Sequence, residues 1–453
     1  VVAQQVARRD IGRPQGYVRP YTEKIKTMKD LLQKDKKYIW HPYTQAQTAA
    51  PPLPIVRGKA TQLFDNEGNA YIDAVSSWWV NTHGHAHPYI AKKVYEQLLQ
   101  LEHVIFAGFT HAPAVELAER IVGKLPDGFS RVFYSDNGST SVEIGVKMAI
   151  QYFYNQGIEK KRLLAFENGF HGETFGTMSA GGVHEFNAAF TRQLFDVQHI
   201  KVPTEGEEHA AIEQLKMEVE KGDVYAFLFE PLIQGAGGMV TYSVAALDEM
   251  IGICQANGVI AIADEVMTGF YRTGKMFASE YLTNTPDIIC LSKGLTGGTL
   301  PLALTVCREE IFEAFLSDDK LKTFFHGHSY TGNPVGCAAA LACLDLYEKP
   351  DFEAKIQHIC EKHTAFKNRI ENHSGVRVVR QCGTILAIEF ETGQATSYFN
   401  NLRDTLYYFF LEKGLLLRPL GNVIYIMAPY CIEDEELERV YDGIEEALDK
   451  FCS

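Results

Sequence analysis

Two short stretches, Val259-Ile-Ala-Ile-Ala-Asp264-Glu265 and Asp287-Ile-Ile-Cys-Leu-Ser-Lys293-Gly294, decide how this chain is read. Each is an apolar run of strand length that ends on a charged side chain. Strands that are apolar throughout, rather than alternating, belong to parallel sheets with helices on both faces. In such sheets the carboxyl ends of the strands line the crevice where ligands bind. Asp264 and Lys293 stand at two such ends. Alone, an aspartate there serves equally as an N-cap or half of an ion pair. A lysine there often only extends its stem along apolar surface. If held away from water, though, its pKa falls and its amine becomes nucleophilic.

Working outward, further apolar runs read as strands: Arg131–Tyr134, Arg162–Phe166, Ala226–Glu230 and Leu302–Val306. Helices are expected at Ser141–Phe153 and Val244–Asn257. This predicts an α/β fold whose large domain, residues 85–325, has a mostly parallel sheet. A smaller α+β domain follows, with strands at Val376–Val379, Ile385–Phe390 and Val423–Met427 and a final helix at Glu433–Phe451. Residues 326–453 thus read as an interface segment plus small domain. Residues 28–84, with short strands around a Glu67-Gly68-Asn69 turn, read as part of the small domain and pocket. Residues 1–27 are basic and lack helical periodicity. They read as an N-terminal extension before Met28, with no apolar segment of signal-peptide type.

Composition narrows the function. Lys plus Arg is 43 and Asp plus Glu is 57, a net charge of −14, which opposes a nucleic-acid binder. No apolar run reaches membrane-spanning length. Nine scattered cysteines without a C-x-x-C read as thiols of a reducing compartment, hence the cytoplasm.

An acid on one strand end and a lysine on another describe a pyridoxal phosphate site, the acid facing the pyridine nitrogen and the lysine carrying the cofactor. Such a site needs a phosphate cup. Ser135-Asp-Asn137-Gly138-Ser139-Thr140-Ser141 lies between a strand and a helix, where Gly138 permits close approach, Ser139 and Thr140 supply hydroxyls, and the helix start supplies N–H groups. The same stretch is also an ordinary helix cap. Asn168-Gly-Phe170-His171-Gly172-Glu173 places an aromatic after another strand, to stack on a cofactor or simply to pack. His83-Gly-His85-Ala-His87 alternates histidines, but Gly84 and Pro88 make it a turn, which disfavours a metal site.

In order, Asp-Asn-Gly-Ser, Gly-Phe-His-Gly, Ala-Asp-Glu, Ser-Lys-Gly and His326-Gly-His-Ser329-Tyr-Thr-Gly-Asn-Pro334 resemble the motifs of the class III (subgroup II) aminotransferases, over about residues 36–450. The resemblance implies a fold-type I homodimer with shared active sites. It implies Lys293 as the cofactor-bearing lysine, Asp264 as the ring-nitrogen partner, Gly138 and Ser139 at the phosphate, and Phe170 on the ring. His328 and Ser329 would also bind cofactor, Ser329 from the other subunit. Trp40-His-Pro-Tyr43-Thr-Gln, Ser76-Ser-Trp78-Trp79, Gly235-Ala-Gly-Gly238 and Leu417-Arg418-Pro419 resemble the branch that aminates 8-amino-7-oxononanoate in biotin biosynthesis. By that resemblance Tyr43 joins Lys293 and Asp264 as a catalytic residue, and the substrate set is Tyr43, Trp78, Trp79, Phe170, Gly327 and Arg418. The aromatics would wall the alkyl chain and Arg418 would clamp the distal carboxylate. If Trp78 and Trp79 lie on a strand, they face opposite ways.

Adenosylmethionine is the expected donor. The branch usually has tyrosine and aspartate where Phe170 and Glu173 stand, so a lysine-using version is the alternative. A third reading is another ω-aminotransferase, disfavoured by Ala236 after Gln234-Gly235 and by Met267.

Overall fold

The runs ending at Asp264 and Lys293 are adjacent strands of one sheet. A computed structural model describes residues 28–182, 184–393, 396, 400 and 402–452; the expected extension at 1–27 lies outside the described residues. The sheet has seven strands: β1 (Phe129–Ser135), β2 (Arg162–Phe166), β3 (Val197–Ile200), β4 (Val224–Phe229), β5 (Ile260–Asp264), β6 (Ile288–Leu291) and β7 (Ala303–Arg308), in the order β1-β7-β6-β5-β4-β2-β3. β5 runs parallel to β4 and β6, and β2 parallel to β3 and β4. β7 alone is antiparallel to its neighbours β1 and β6.

Every residue of β4, β5 and β6 is buried, because each face is covered. Side chains alternate across a strand. Ile260, Ile262, Ile288 and Cys290 therefore join Val142 and Ala149 of α1 (Gly138–Asn155) on one side. Ala261, Ala263, Ile289 and Leu291 join Leu247 and Met250 of α2 (Val244–Ala256) and Ala339 and Cys343 of α3 (Pro334–Tyr347) on the other. These two apolar layers fix the strand ends that carry the site.

Beyond α3, α4 (Phe352–Ile370) leads to β8 (Val376–Cys382), β9 (Ile385–Phe390) and β10 (Val423–Ile426), an antiparallel sheet in that order. The last helix, α5 (Asp434–Phe451), buries Leu437, Val440, Tyr441, Ile444 and Leu448, the spacing of an amphipathic face. Tyr441 stacks on Phe366 of α4 at 4.1 Å between centroids. Ile72 and Asp73 pair in parallel with Leu415 and Leu416, which brings the segment before the tryptophans to the C-terminal region.

The chain divides into two compact units, residues 58–63 with 71–453, and a smaller one whose described part is residues 28–57 with 64–70. The smaller unit has a helix at Met28–Tyr38 that the sequence reading lacked. Its expected turn is present: Asp65 Oδ1 accepts from the Glu67 and Asn69 N–H groups at 2.9 Å each, with Gly68 at φ 91°.

Trp78 and Trp79 are not on a strand. Ser76–Trp79 is a single distorted turn with Ser76, Ser77 and Trp79 at positive φ. The buried Asp73 carboxylate takes up the Val75 and Ser77 N–H groups, so no partner strand receives them. The two indoles still separate, Trp79 buried and Trp78 exposed.

Candidate active site

Asp264 is the last residue of β5, and Lys293 follows β6 by two residues, so the two side chains rise from neighbouring parallel strand ends. Asp264 is buried. Its Oδ2 pairs with His171 Nδ1 at 2.8 Å and its Oδ1 accepts from the Val266 N–H at 3.1 Å. Lys293 has left-handed backbone (φ 43°), and its Nζ lies 4.7 Å from the Trp79 ring. Burial pushes its amine down to about 8. Asp264 and Glu230 oppose that shift, and Arg272 adds to it.

Glu230 was missed as a site residue, although it ends the apolar run of β4 by the rule that found Asp264. One carboxyl oxygen accepts from the Phe170 N–H at 3.2 Å, the other from the Gly235 N–H at 2.8 Å. Burial pushes it up to about 7; His171 opposes this and Asp264 adds to it. An amine and two carboxyl groups thus sit at three adjacent strand ends.

The expected cup is the start of α1. Asn137 caps it, its Oδ1 accepting from the Thr140 N–H at 3.0 Å and its carbonyl from the Ser141 N–H at 3.1 Å. Gly138 and Ser139 are left as the first helical amides without an intrahelical acceptor. A Cβ on Gly138 would lie 2.5 Å from Val266 Cγ1, so the helix start abuts the turn after Asp264 and tolerates no side chain there. The hydroxyls of the cup are engaged within the protein. Ser139 Oγ accepts from the Glu173 and Thr174 N–H groups at 3.0 Å each and bonds the Thr174 and Thr177 hydroxyls. Thr140 Oγ1 donates to the Asn137 carbonyl at 2.8 Å. Both hold the protein to itself, so of the expected cup groups the two amides are the ones without an intrahelical acceptor. Phe170, half-buried, meets Phe186 edge-on at 6.4 Å.

On the other side of Lys293, Trp79 Nε1 donates to the Tyr425 hydroxyl at 2.9 Å. A Cβ on Gly235 would lie 2.6 Å from Met267 Sδ and 3.1 Å from the Trp79 ring, so Gly235 is wedged between them. Trp78 lies 4.5 Å from the Arg418 guanidinium carbon. Half-buried Arg418 has no ion-pair partner among the described residues. Arg272 is fully buried and donates to the Ala428 carbonyl at 2.9 Å.

His328 Nε2 stands 3.9 Å from Asp136 Oδ1, beside the cup. Ser329 and Gly327 are exposed. Tyr43 belongs to the smaller unit, exposed and at φ 52°. The alternating histidines have separate settings. His83 is buried against Tyr347, and burial holds its pKa near 3. His85 bonds Asp73 and Asn81, while His87 precedes a helix.

The sequence profile described as aminotransferase class-III matches residues 43–448. An adenosylmethionine-8-amino-7-oxononanoate aminotransferase of Synechococcus elongatus is 44% identical over 91% of this chain and 99% of its own. The crystal structure of an enzyme of the same name from Methanocaldococcus jannaschii superimposes with a TM-score of 0.89 at 37% identity, over 93% of this chain and 99% of that one. An amine transaminase from an uncultivated Pseudomonas species, in a PLP-bound form, superimposes with a TM-score of 0.86 at 28% identity, over 92% and 99% of the chains.

Proposed function

The chain belongs to the class-III aminotransferases, and from that membership we propose that it transfers an amino group from adenosylmethionine to 8-amino-7-oxononanoate, giving 7,8-diaminononanoate in biotin biosynthesis. Its cofactor is pyridoxal 5'-phosphate. The donor set suits that group: two helix-start amides for a phosphate, a buried carboxylate for a ring nitrogen, and an amine titrating near neutrality for an aldehyde. When bound, the cofactor supplies an electron sink for the carbon that bears the amine.

The chain's own residues do the rest. In this reading the Gly138 and Ser139 N–H groups bind the phosphate and Phe170 packs on the ring face. Asp264, oriented by His171 and the Val266 N–H, keeps a negative charge at the ring nitrogen. Lys293 Nζ takes up and returns the proton at the substrate's reacting carbon, in both half-reactions. An amine titrating at about 8 exchanges protons readily near neutral pH.

The acceptor assignment is carried by one observation: Arg418, without an acid partner among the described residues, lies on Trp78, and Trp78 adjoins the Trp79 that backs Lys293. Two indoles thus join the reacting amine to a guanidinium, which suits a long alkyl chain ending in a carboxylate. The enzyme works in this reading as a cytoplasmic homodimer in which Ser329 of one copy completes the site of the other. Exposure of Phe325 and Tyr330, 71% and 65%, around Ser329 supports it, as do nine free cysteines. No described helix is long and apolar enough to cross a membrane.

The test is a donor screen with 8-amino-7-oxononanoate as acceptor, comparing adenosylmethionine, lysine, glutamate and alanine in wild type and Arg418→Ala. Adenosylmethionine is expected to serve best. Arg418→Ala should lower acceptor kcat/KM by roughly ten-fold or more, since a charge-assisted contact contributes about 1.5–3 kcal/mol. Turnover with lysine alone would move the donor assignment to the lysine-using version. Equal loss in both half-reactions would remove Arg418 from the acceptor site.

A further inference from the structure

Three of the four residues Ser76–Trp79 are non-glycine side chains on left-handed backbone: Ser76 (φ 49°), Ser77 (φ 61°) and Trp79 (φ 67°). L-residues avoid that region because Cβ crowds the chain, so such a run persists only where its surroundings over-determine it. Here the determinant is Asp73, whose side chain is fully buried. Oδ1 accepts from the Ser77 N–H at 2.8 Å and the Val75 N–H at 3.3 Å. Oδ2 accepts from Ser77 Oγ at 2.9 Å and pairs with His85 Nε2 at 2.9 Å. His85 Nδ1 in turn meets Asn81 Nδ2 at 2.9 Å. Ser76 Oγ donates to the Met427 carbonyl at 2.7 Å, tying the turn to the C-terminal sheet region.

A simple side-chain turn motif would need one carboxylate oxygen on one backbone N–H. Here both oxygens are used, and a histidine backs the second. The outcome is the placement of the indoles. Trp79 is buried with its ring 4.7 Å from Lys293 Nζ; Trp78, its neighbour, lies against the Arg418 guanidinium.

We propose that Asp73, braced by His85, is a positioning residue for the amino transfer: it holds the Ser76–Trp79 turn so that Trp79 backs Lys293 while Trp78 carries Arg418, and so sets the spacing between the reacting amine and the carboxylate-binding group. The part concerning the carboxylate rests on the acceptor assignment above; the part concerning the turn does not.

The two parts are tested separately. Of the three tryptophans, Trp40→Phe leaves only Trp78 and Trp79 to emit. In that background Asp73→Asn keeps one oxygen for the Ser77 N–H and removes the charged acceptor facing His85. In the protein without cofactor, the acrylamide quenching constant is expected to rise about two-fold as Trp79 loses its burial. In the holoenzyme, acceptor KM is expected to rise roughly ten-fold, while the donor half-reaction, which loses only the backing of Lys293 by Trp79, should fall by a clearly smaller factor. His85→Gln, which keeps a donor for Asp73, should move both readouts less and in the same direction. Should Asp73→Asn fail to fold, Ser77→Ala removes a single bond and should give the smaller version of the same split. Unchanged quenching in the folded variants overturns the proposal. So does an acceptor KM that stays constant, or that changes only in step with the donor half-reaction. If wild type does not aminate 8-amino-7-oxononanoate at all, the acceptor assignment fails, and the quenching result alone decides the role of Asp73 in the turn.

Discussion

Lys293 shows how one residue trades stability for reactivity. Its folded pKa of about 8 lies below the ordinary 10.5, and burial is the main cause. Below pH 8 the amine is protonated in both states, and the folded state bears the full desolvation penalty. Between about 8 and 10.5 the unfolded chain binds more protons, so stability climbs with pH; above that window the penalty is gone. Apo Lys293→Met is therefore expected to be more stable than apo wild type at pH 7, by on the order of 2–3 kcal/mol. The gap should narrow as pH rises from 8 to 10.5. Urea unfolding of both proteins at several pH values measures it, and the difference isolates Lys293 from the other titrating groups. A pH-independent gap would show that the amine is not held out of water. Asp264 and Lys293 were legible because a charge at the end of an apolar strand is conspicuous. Glu230 ends such a run equally well, yet its weight comes from facing Asp264 and Lys293, a relation between strands far apart in the chain.

At the scale of elements, the helix Gly138–Asn155 matters most, because in the proposed function it presents the amides for the phosphate. Its start is held by Asn137, whose side chain accepts from the Thr140 N–H while the Asn137 N–H is received by Thr140 Oγ1 at 3.3 Å. Removing that cap exposes an unpaired donor. Asn137→Ala is expected to destabilise the protein by roughly 1 kcal/mol, whereas Asn137→Asp should stay near wild type, because aspartate caps about as well as asparagine. Equal unfolding curves for all three would mean that Thr140 suffices alone. The strands Ile260–Asp264 and Ile288–Leu291 were readable as uniformly apolar runs. Val197-Gln-His-Ile200 was not, since it lies at the sheet edge with one neighbour and needs fewer apolar residues. Ser76–Trp79, where a strand would have turned the two indoles to opposite faces, is instead a turn, because a buried carboxylate, rather than a partner strand, receives its backbone N–H groups.

At the scale of the whole molecule, a shared site predicts complementation between defective copies. In a heterodimer of Lys293→Ala and Ser329→Ala subunits both lesions fall in one site, so the other should regain about half the wild-type activity of a dimer. Mixing the two variants under subunit exchange measures this; activity no better than that of either parent would refute sharing. The sequence by itself determined the periodicities, the charged strand ends and the glycine-marked turns, because each depends on neighbours within a few residues. It thereby settled the layered α/β class, while the cofactor chemistry was legible from the order of the motifs and their resemblance to a known family. Strand order was decided only by tertiary structure: β4, β5 and β6, each a covered apolar run, are interchangeable as patterns until their layers pack. So were the pairing of Asp264 with His171, the capture of the Ser139 hydroxyl by the 173–174 backbone, and the left-handed turn under Trp79. The first two join groups distant in the chain; the turn has its acceptor, Asp73, nearby in sequence, but Asp73 takes that part only once it is buried with His85 against it. Burial makes an unmet partner costly, so the folded arrangement selects which partners meet.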